Sequence, residues 1–479
     1  MVGDNVLLVR HGAVYVVARG LPGIINFLAL IIYTRLLSPE QYGLYALVIA
    51  GIGLVQIIYF QWLGLCLARF LPANRSAPED FLSEIKFLFI ILALGFICVS
   101  LIVVCFLWSD SVWRNLMVFA VPVCLCSAWF ELNLFYATTA LKPKLYGRIN
   151  LTKAILSLLL GASLAYLGVG VYAPLFGLLL GMGTGIFVFR RKLWVMIKPK
   201  PPNSARMKSL LQYGIPLAIN LALTWVVTSS DRFLLGLMLG VDVGGQYAVG
   251  YDLAQYSVGM LLMIVNLAAY PLVIQVFERD GTEAARIQLR QNGVILTSIA
   301  LLSASFLAVL APLFGDLLVG SAYKNATIKI LPWIAFAAAL TGLKSYYFDV
   351  AFLLGKATKK LVWISLCGAL LNIVLNIICI PLYGILGAVY ATVVTYIITL
   401  VGSSVIGRRY FVLPDFSPIF FSSLIIVIPS SIAVWGGMQY GGWGGLCLGI
   451  SAGGCTGILF AICFDFAGLR CGLLNWIQS

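Results

Sequence analysis

Apolar runs of about helix-spanning length follow one another along this chain almost without pause, separated by short polar breaks. A bilayer core about 30 Å thick is crossed by about 20 helical residues rising 1.5 Å each. Fourteen such runs stand at 11–36, 44–69, 86–107, 114–139, 146–167, 170–190, 209–238, 245–276, 292–314, 328–354, 360–381, 384–407, 418–437 and 443–464. Backbone in hydrocarbon must satisfy its own hydrogen bonds, so runs this long are predicted to be helices. The two-residue alternation of a membrane barrel is absent. The pattern predicts an all-α integral membrane protein of about fourteen transmembrane helices.

The longest polar break is RRKLWVMIKPKPPNSARMK (190–208), basic and proline-rich, after the sixth run. The segments on its two sides resemble each other. Phe135–Gly177 and Val350–Ala391 both read as helix end, lysine-bearing turn, apolar span, glycine turn and span, and YGLYAL (Tyr42–Leu47) echoes GGQYAV (Gly244–Val249). The predicted organisation is an N-terminal lobe of six helices (1–192), a cytoplasmic linker (193–208), a C-terminal lobe of six helices (209–410), and helices 13 and 14 with a tail (411–479). An even number of spans per lobe gives both lobes the same orientation. Their pseudo-two-fold axis is then expected along the membrane normal, with a binding site between them near mid-depth.

Several runs carry charge where a bilayer would be deepest. Ionisable groups at that depth are costly unless they face protein or a water-filled cavity, so they mark candidate function. On the first helix Tyr15, Arg19, Asn26 and Tyr33 share one face. On the seventh, Asn220, Thr224, Thr228 and Asp231 share another. Pro22 and Pro216 sit within these helices and are expected to bend them. Two such faces would line one central cavity; the plainer reading is hydrogen bonding between helices. Arg19, Lys344 and Arg232 are the candidate cations for an anionic substrate, and tyrosines such as Tyr15, Tyr33, Tyr346 and Tyr347 are candidates for stacking on sugars. Glu131, Asp231, Asp252 and Asp349 are the candidates for ion coupling. Local ion pairing competes with these roles, although the five-residue spacing of Lys344 and Asp349 is poor for a helical pair.

Composition sharpens the class. Hydrophobic residues make up 62% of the 479 and charged residues 10%, with a net charge of +14, against about a quarter charged in soluble domains. Most Lys and Arg fall in the tails and even-numbered loops, which places both termini in the cytoplasm by the positive-inside rule. Lipid headgroups account for the basic balance without nucleic acid. The first run is too long for a cleaved signal peptide and reads as a retained span. The eleven cysteines lie mostly in apolar runs without metal-ligand spacing. Gly177, Gly181 and Gly185 can seat close helix packing. Nucleotide loops, HExxH and GxSxG are missing, so no catalytic residues, metal or cofactor are expected. Transport would then draw on an ion gradient, the substrate's own gradient or a partner.

YTRLLSPEQYGLYAL (Tyr33–Leu47) and YGIPLAINLALTWVVTSSDRFLLGLMLGVDVGGQYAV (Tyr213–Val249) resemble the oligosaccharide-lipid flippases of the multidrug/oligosaccharidyl-lipid/polysaccharide exporter superfamily. The resemblance implies a bacterial inner-membrane protein with two six-helix lobes around a V-shaped cavity. It implies a substrate of undecaprenyl-diphosphate carrying an O-antigen, capsule or exopolysaccharide repeat unit, flipped from the cytoplasmic to the periplasmic leaflet. Helices 13 and 14 would add a groove for the prenyl tail. Membrane lipids, a polysaccharide polymerase and chain-length machinery are the implied partners. The rival readings are a multidrug or metabolite exporter, a lipid II flippase and, from another class, a membrane glycan polymerase. The mixed signs of the mid-depth charges disfavour a cation exporter, and the absence of a long outer loop disfavours the polymerase.

Overall fold

The computed structural model describes residues 2–74, 78–106 and 111–463, with the side chains of 2–17, 19 and 190–193 outside the description. Among the described residues the regular structure is entirely helical. Fourteen helices follow in order: α1 Val2–Leu36, α2 Pro39–Phe70, α3 Pro78–Phe106, α4 Ser111–Thr139, α5 Pro143–Tyr166, α6 Tyr172–Met196, α7 Ser204–Met238, α8 (241–280), α9 (282–317), α10 Ser321–Leu354, α11 Thr358–Tyr383, α12 Ile385–Gly407, α13 Phe416–Met438 and α14 Gly442–Cys463. They answer one for one to the fourteen apolar runs. Helices α8 and α9 are joined without a loop. The chain breaks only at Gly281 (φ 84°, ψ −169°), a backbone region essentially restricted to glycine.

Local chemistry explains the sharp turns. Between α1 and α2, Ser38 Oγ accepts from the Gln41 amide at 3.3 Å while Gln41 Oε1 accepts from the Ser38 amide at 3.2 Å. This capping box, with Pro39 in the first helical turn, satisfies orphan donors and starts α2 with only two residues between it and the end of α1. The conspicuous LSPEQYG segment is thus a helix start.

Two turns that the sequence comparison pairs share a backbone conformation. Leu141 after α4 and Lys356 after α10 are the non-glycine residues with positive φ among those described, and both have φ 52°. Around them the same cap recurs. The Lys142 amide donates to Ala137 O at 2.9 Å, and the Ala357 amide donates to Phe352 O at 2.8 Å. These are six-to-one bonds of the Schellman type, at positions the sequence alignment pairs.

The chain divides into two compact units, 1–233 and 234–479. In the first, α5 and α6 pack closely because glycine lines the seam. A Cβ at Gly177 would lie 2.5 Å from Ser157 O, and one at Gly185 would lie 3.1 Å from Ile149 O. A Cβ at Gly181 would collide with Ser157 Oγ. The basic linker is tied down against α3. Lys86 Nζ donates to Trp194 O at 2.7 Å and Ile197 O at 2.8 Å, and Arg206 reaches Glu84 at 3.4 Å. The first part of α7 also belongs to this unit. Trp225 Nε1 donates to Ala50 O of α2 at 3.0 Å, its ring seated against Gly53.

In the second unit α13 and α14 pack on α9. Ser423 meets Ser298 at 2.9 Å and Ser431 meets Ser305 at 3.0 Å. Such short polar contacts hold helices together where hydrophobic exclusion cannot.

Candidate functional site

The best-defined ion pair within the apolar helices lies in the second unit and is part-buried. Lys344 Nζ and Asp349 Oδ2 are 2.7 Å apart, with their side chains 13% and 15% exposed. Ser403 Oγ of α12 donates to the other carboxylate oxygen at 2.7 Å. Ion pairing thus occurs at a spacing the sequence reading had judged poor, and the reason is local. Residues Lys344–Phe348 form a π turn, and its wider i→i+5 spacing carries Asp349 back beneath Lys344. The Asp349 amide donates to Lys344 O at 2.8 Å, closing that turn.

From Ser403 a polar face runs along α12. Thr392, Thr395, Thr399 and Ser403 of α12 are all buried, and their spacing of three, four and four puts them on one face. Thr395 Oγ1 is buried without a hydrogen-bond partner. Asn372 and Asn376 of α11 are fully buried and joined at 3.1 Å. Tyr396 and Tyr251 approach hydroxyl to hydroxyl at 3.4 Å, and Gln255 lies 3.4 Å beyond. Gln255 opens a second π turn, Gln255–Gly259. Sequence reading missed these residues because each is small or neutral; the helical period of Thr and Ser through an apolar run was the available signal.

The other candidates are distributed as follows. The side chains of Tyr15 and Arg19 lie outside the described residues. Asn26, Asn220, Thr228, Arg232, Glu131 and Asp252 are half-buried, and Thr224 is exposed. Asn220 Oδ1 is buried without a hydrogen-bond partner. Thr224 donates to Asn220 O and Thr228 to Trp225 O, each at 3.0 Å, so both hydroxyls spend their donors on their own helix. Asp231 is completely buried. Tyr33 and Tyr347 do not present free rings for sugar stacking. Tyr33 is buried with its hydroxyl on Ser157 O at 3.1 Å, and Tyr347 is buried with its hydroxyl on Pro414 O at 3.3 Å. Both are large rings whose polar end finds a carbonyl inside the bundle. Tyr346 is half-buried and helps line a small cleft with Asn266 and Asn292.

The first unit holds its own polar group. Ser127 Oγ donates to Gln56 Oε1 at 2.8 Å, and Gln56, Gln61 and Glu131 border a small cleft with Phe60 and Phe135. A π turn, Ile57–Gln61, shapes this stretch of α2. Lys153 of α5 lies 5.8 Å over the Phe130 ring. Lys153 shares its apolar run with Arg148, so its charge alone does not single it out in the sequence. Among the described residues no cluster of His, Cys, Asp and Glu fits a metal.

Solved structures share this architecture. The lipid II flippase MurJ in an inward closed conformation superposes with a TM-score of 0.69 at 15% identity, over 94% of this chain and 98% of that one. An outward-facing MATE-family multidrug resistance transporter gives 0.62 at 14%, over 84% and 94%. A transporter of the same superfamily from Pyrococcus furiosus gives 0.61 at 15%, over 84% and 94%. The shared fold and its long apolar helices define a multi-pass membrane protein. An uncharacterized membrane protein of Methanocaldococcus jannaschii is 24% identical over 388 residues, 76% of this chain and 88% of that protein. The family model described as polysaccharide biosynthesis protein matches residues 8–277, more than half of the chain, which therefore belongs to that family.

Proposed function

We propose that this protein flips polyprenyl-diphosphate-linked oligosaccharide repeat units from the cytoplasmic to the periplasmic leaflet of the bacterial inner membrane, driven by an ion gradient, with both termini in the cytoplasm. Undecaprenyl-diphosphate is the carrier this reading favours, and the repeat unit is that of an O-antigen, capsule or exopolysaccharide. Two six-helix lobes, 1–192 and 209–410, would rock about a central site.

The observation that carries the reading is the part-buried Lys344–Asp349–Ser403 group. A diphosphate cannot cross hydrocarbon without compensation for its charge. A lysine held inside the bundle supplies a compact cation for it, and Arg19 and Arg232 would add to the cradle. The neighbouring carboxylate of Asp349 is a candidate for ion coupling. Asp231, Glu131 and Asp252 are further candidates for ion coupling, while Asn26, Asn220, Thr224 and Thr228 would meet the sugars.

The test is deletion of the gene, with analysis of surface glycan and of lipid-linked repeats. Loss of one surface polymer and accumulation of its lipid-linked repeats inside the cell are expected. Complementation by the Arg19→Ala, Lys344→Ala double variant should fail although the protein reaches the membrane. Full glycan display by that variant rejects the charge cradle, and unchanged glycan in the deletion strain rejects the cargo.

A further inference from the structure

The basic, proline-rich break after α6 reads in the sequence as a connection between two lobes. From Trp194 onward it is engaged, point after point, on neighbouring helices of the first unit. The first fastening is the end of α6. Trp194 is buried, donates its indole N–H to Asn133 Oδ1 of α4 at 2.8 Å and packs on the Trp129 ring with centroids 4.7 Å apart. The Lys86 ammonium of α3 donates to two carbonyls at the same helix end, Trp194 O and the buried Ile197 O. Carbonyls at a helix C-terminus lack partners of their own, and a cation there also meets the negative end of the helix dipole.

The next fastening is main chain: the Lys200 amide donates to Ser83 O at 3.3 Å. Pro199, Pro201 and Pro202 restrict the backbone on both sides of it, so fewer unfastened conformations compete. Arg206 closes the series. Its Nε lies 3.4 Å from Glu84 Oε2, its Nη2 donates to Asn74 Oδ1 at 3.1 Å, and its guanidinium stands 5.6 Å over the Phe81 ring. The Glu84 side chain is 16% exposed, so little water screens the pair. Asn203 caps α7 by accepting from the Arg206 amide at 2.8 Å, which fixes where Arg206 stands.

We infer that residues 194–206 are a strap that stays fastened to the Phe81–Lys86 stretch of α3 throughout the working cycle, so that the linker moves with the first lobe and relative motion of the lobes is taken up beyond Arg206. Lifting the strap would strip two helix-end carbonyls of their donor and part an ion pair in the same step. The inference rests on the rocking of two lobes proposed above; the fastening itself does not depend on the cargo.

The full chain should be reconstituted in vesicles and followed by hydrogen exchange with mass spectrometry, with and without an imposed proton or sodium gradient. Exchange in peptides covering 197–207 should be unchanged by either gradient. It should rise about tenfold in the Lys86→Met, Glu84→Gln double variant, while peptides of α5 keep their protection and report that the variant is folded. Wild-type exchange already as fast as in that variant, or faster once a gradient is imposed, overturns the proposal. A second arm avoids the unfastened protein. Glu84→Cys and Arg206→Cys, in a cysteine-free background, are joined by a short bifunctional methanethiosulfonate. The joined protein should display surface glycan as the unjoined one does; loss of display on joining, restored by reduction, overturns the proposal. Should glycan prove independent of the gene, the cargo reading fails and the exchange arm alone decides the strap.

Discussion

Lys344 and Asp349 satisfy one another inside an apolar bundle, so neither can be removed alone without consequence. Asp349→Ala leaves an ammonium buried without its counter-charge and should destabilise the protein by about 3–5 kcal/mol. The double change Lys344→Met, Asp349→Leu removes both charges at similar volume and should recover most of that loss while transport stays abolished. Thermal unfolding of the detergent-solubilised protein, followed by size-exclusion recovery, checks the pair. An Asp349→Ala protein that melts with the wild type would show the two charges to be independent. At this scale the sequence was half legible. It pointed to Lys344, Asp349 and Asp231 because a charge in an apolar run is conspicuous. It could not reveal that Tyr33 and Tyr347 spend their hydroxyls on carbonyls 124 and 67 residues away. Nor did it reveal the Thr–Ser face of α12, since residues that small interrupt an apolar run without breaking it.

Helices were the most legible level, because about 20 apolar residues in a bilayer leave the backbone no alternative. Their fine structure was less so. Among the described residues, the π turns in α2, α8 and α10 carry no compositional mark, and one of them makes the five-residue ion pair possible. The glycines of α6 were legible, and their role can be tested. Gly177→Ala drives a methyl group against the Ser157 carbonyl, an atom of a helix backbone that cannot swing aside. It should cost about 1–3 kcal/mol. Gly183→Ala, on the same helix with nothing within 4 Å of the added atom, should be neutral or slightly stabilising. Parallel melting curves of the two variants measure the difference, and equal behaviour would mean that α5 can retreat from α6.

For the molecule as a whole, basic residues set the orientation. Cysteines introduced one at a time into a cysteine-free background report it directly. A probe that does not cross membranes should label Lys324→Cys, beside the exposed pair with Asp316, in intact cells. Arg286→Cys, in the exposed stretch after the Gly281 break, should label only after the membrane is opened. The reverse pattern would invert the topology, and with it the direction assigned to transport.

The Ser38–Gln41 cap bears on how such chains are sorted. The segment by which this protein is most readily recognised spells out a bend, two residues long, between consecutive rods. Proteins that inherit the bend will keep those letters whatever they carry, much as a hinge is stamped alike on unrelated doors. The segment therefore speaks for the joint between two helices, and a likeness confined to it is a likeness of architecture.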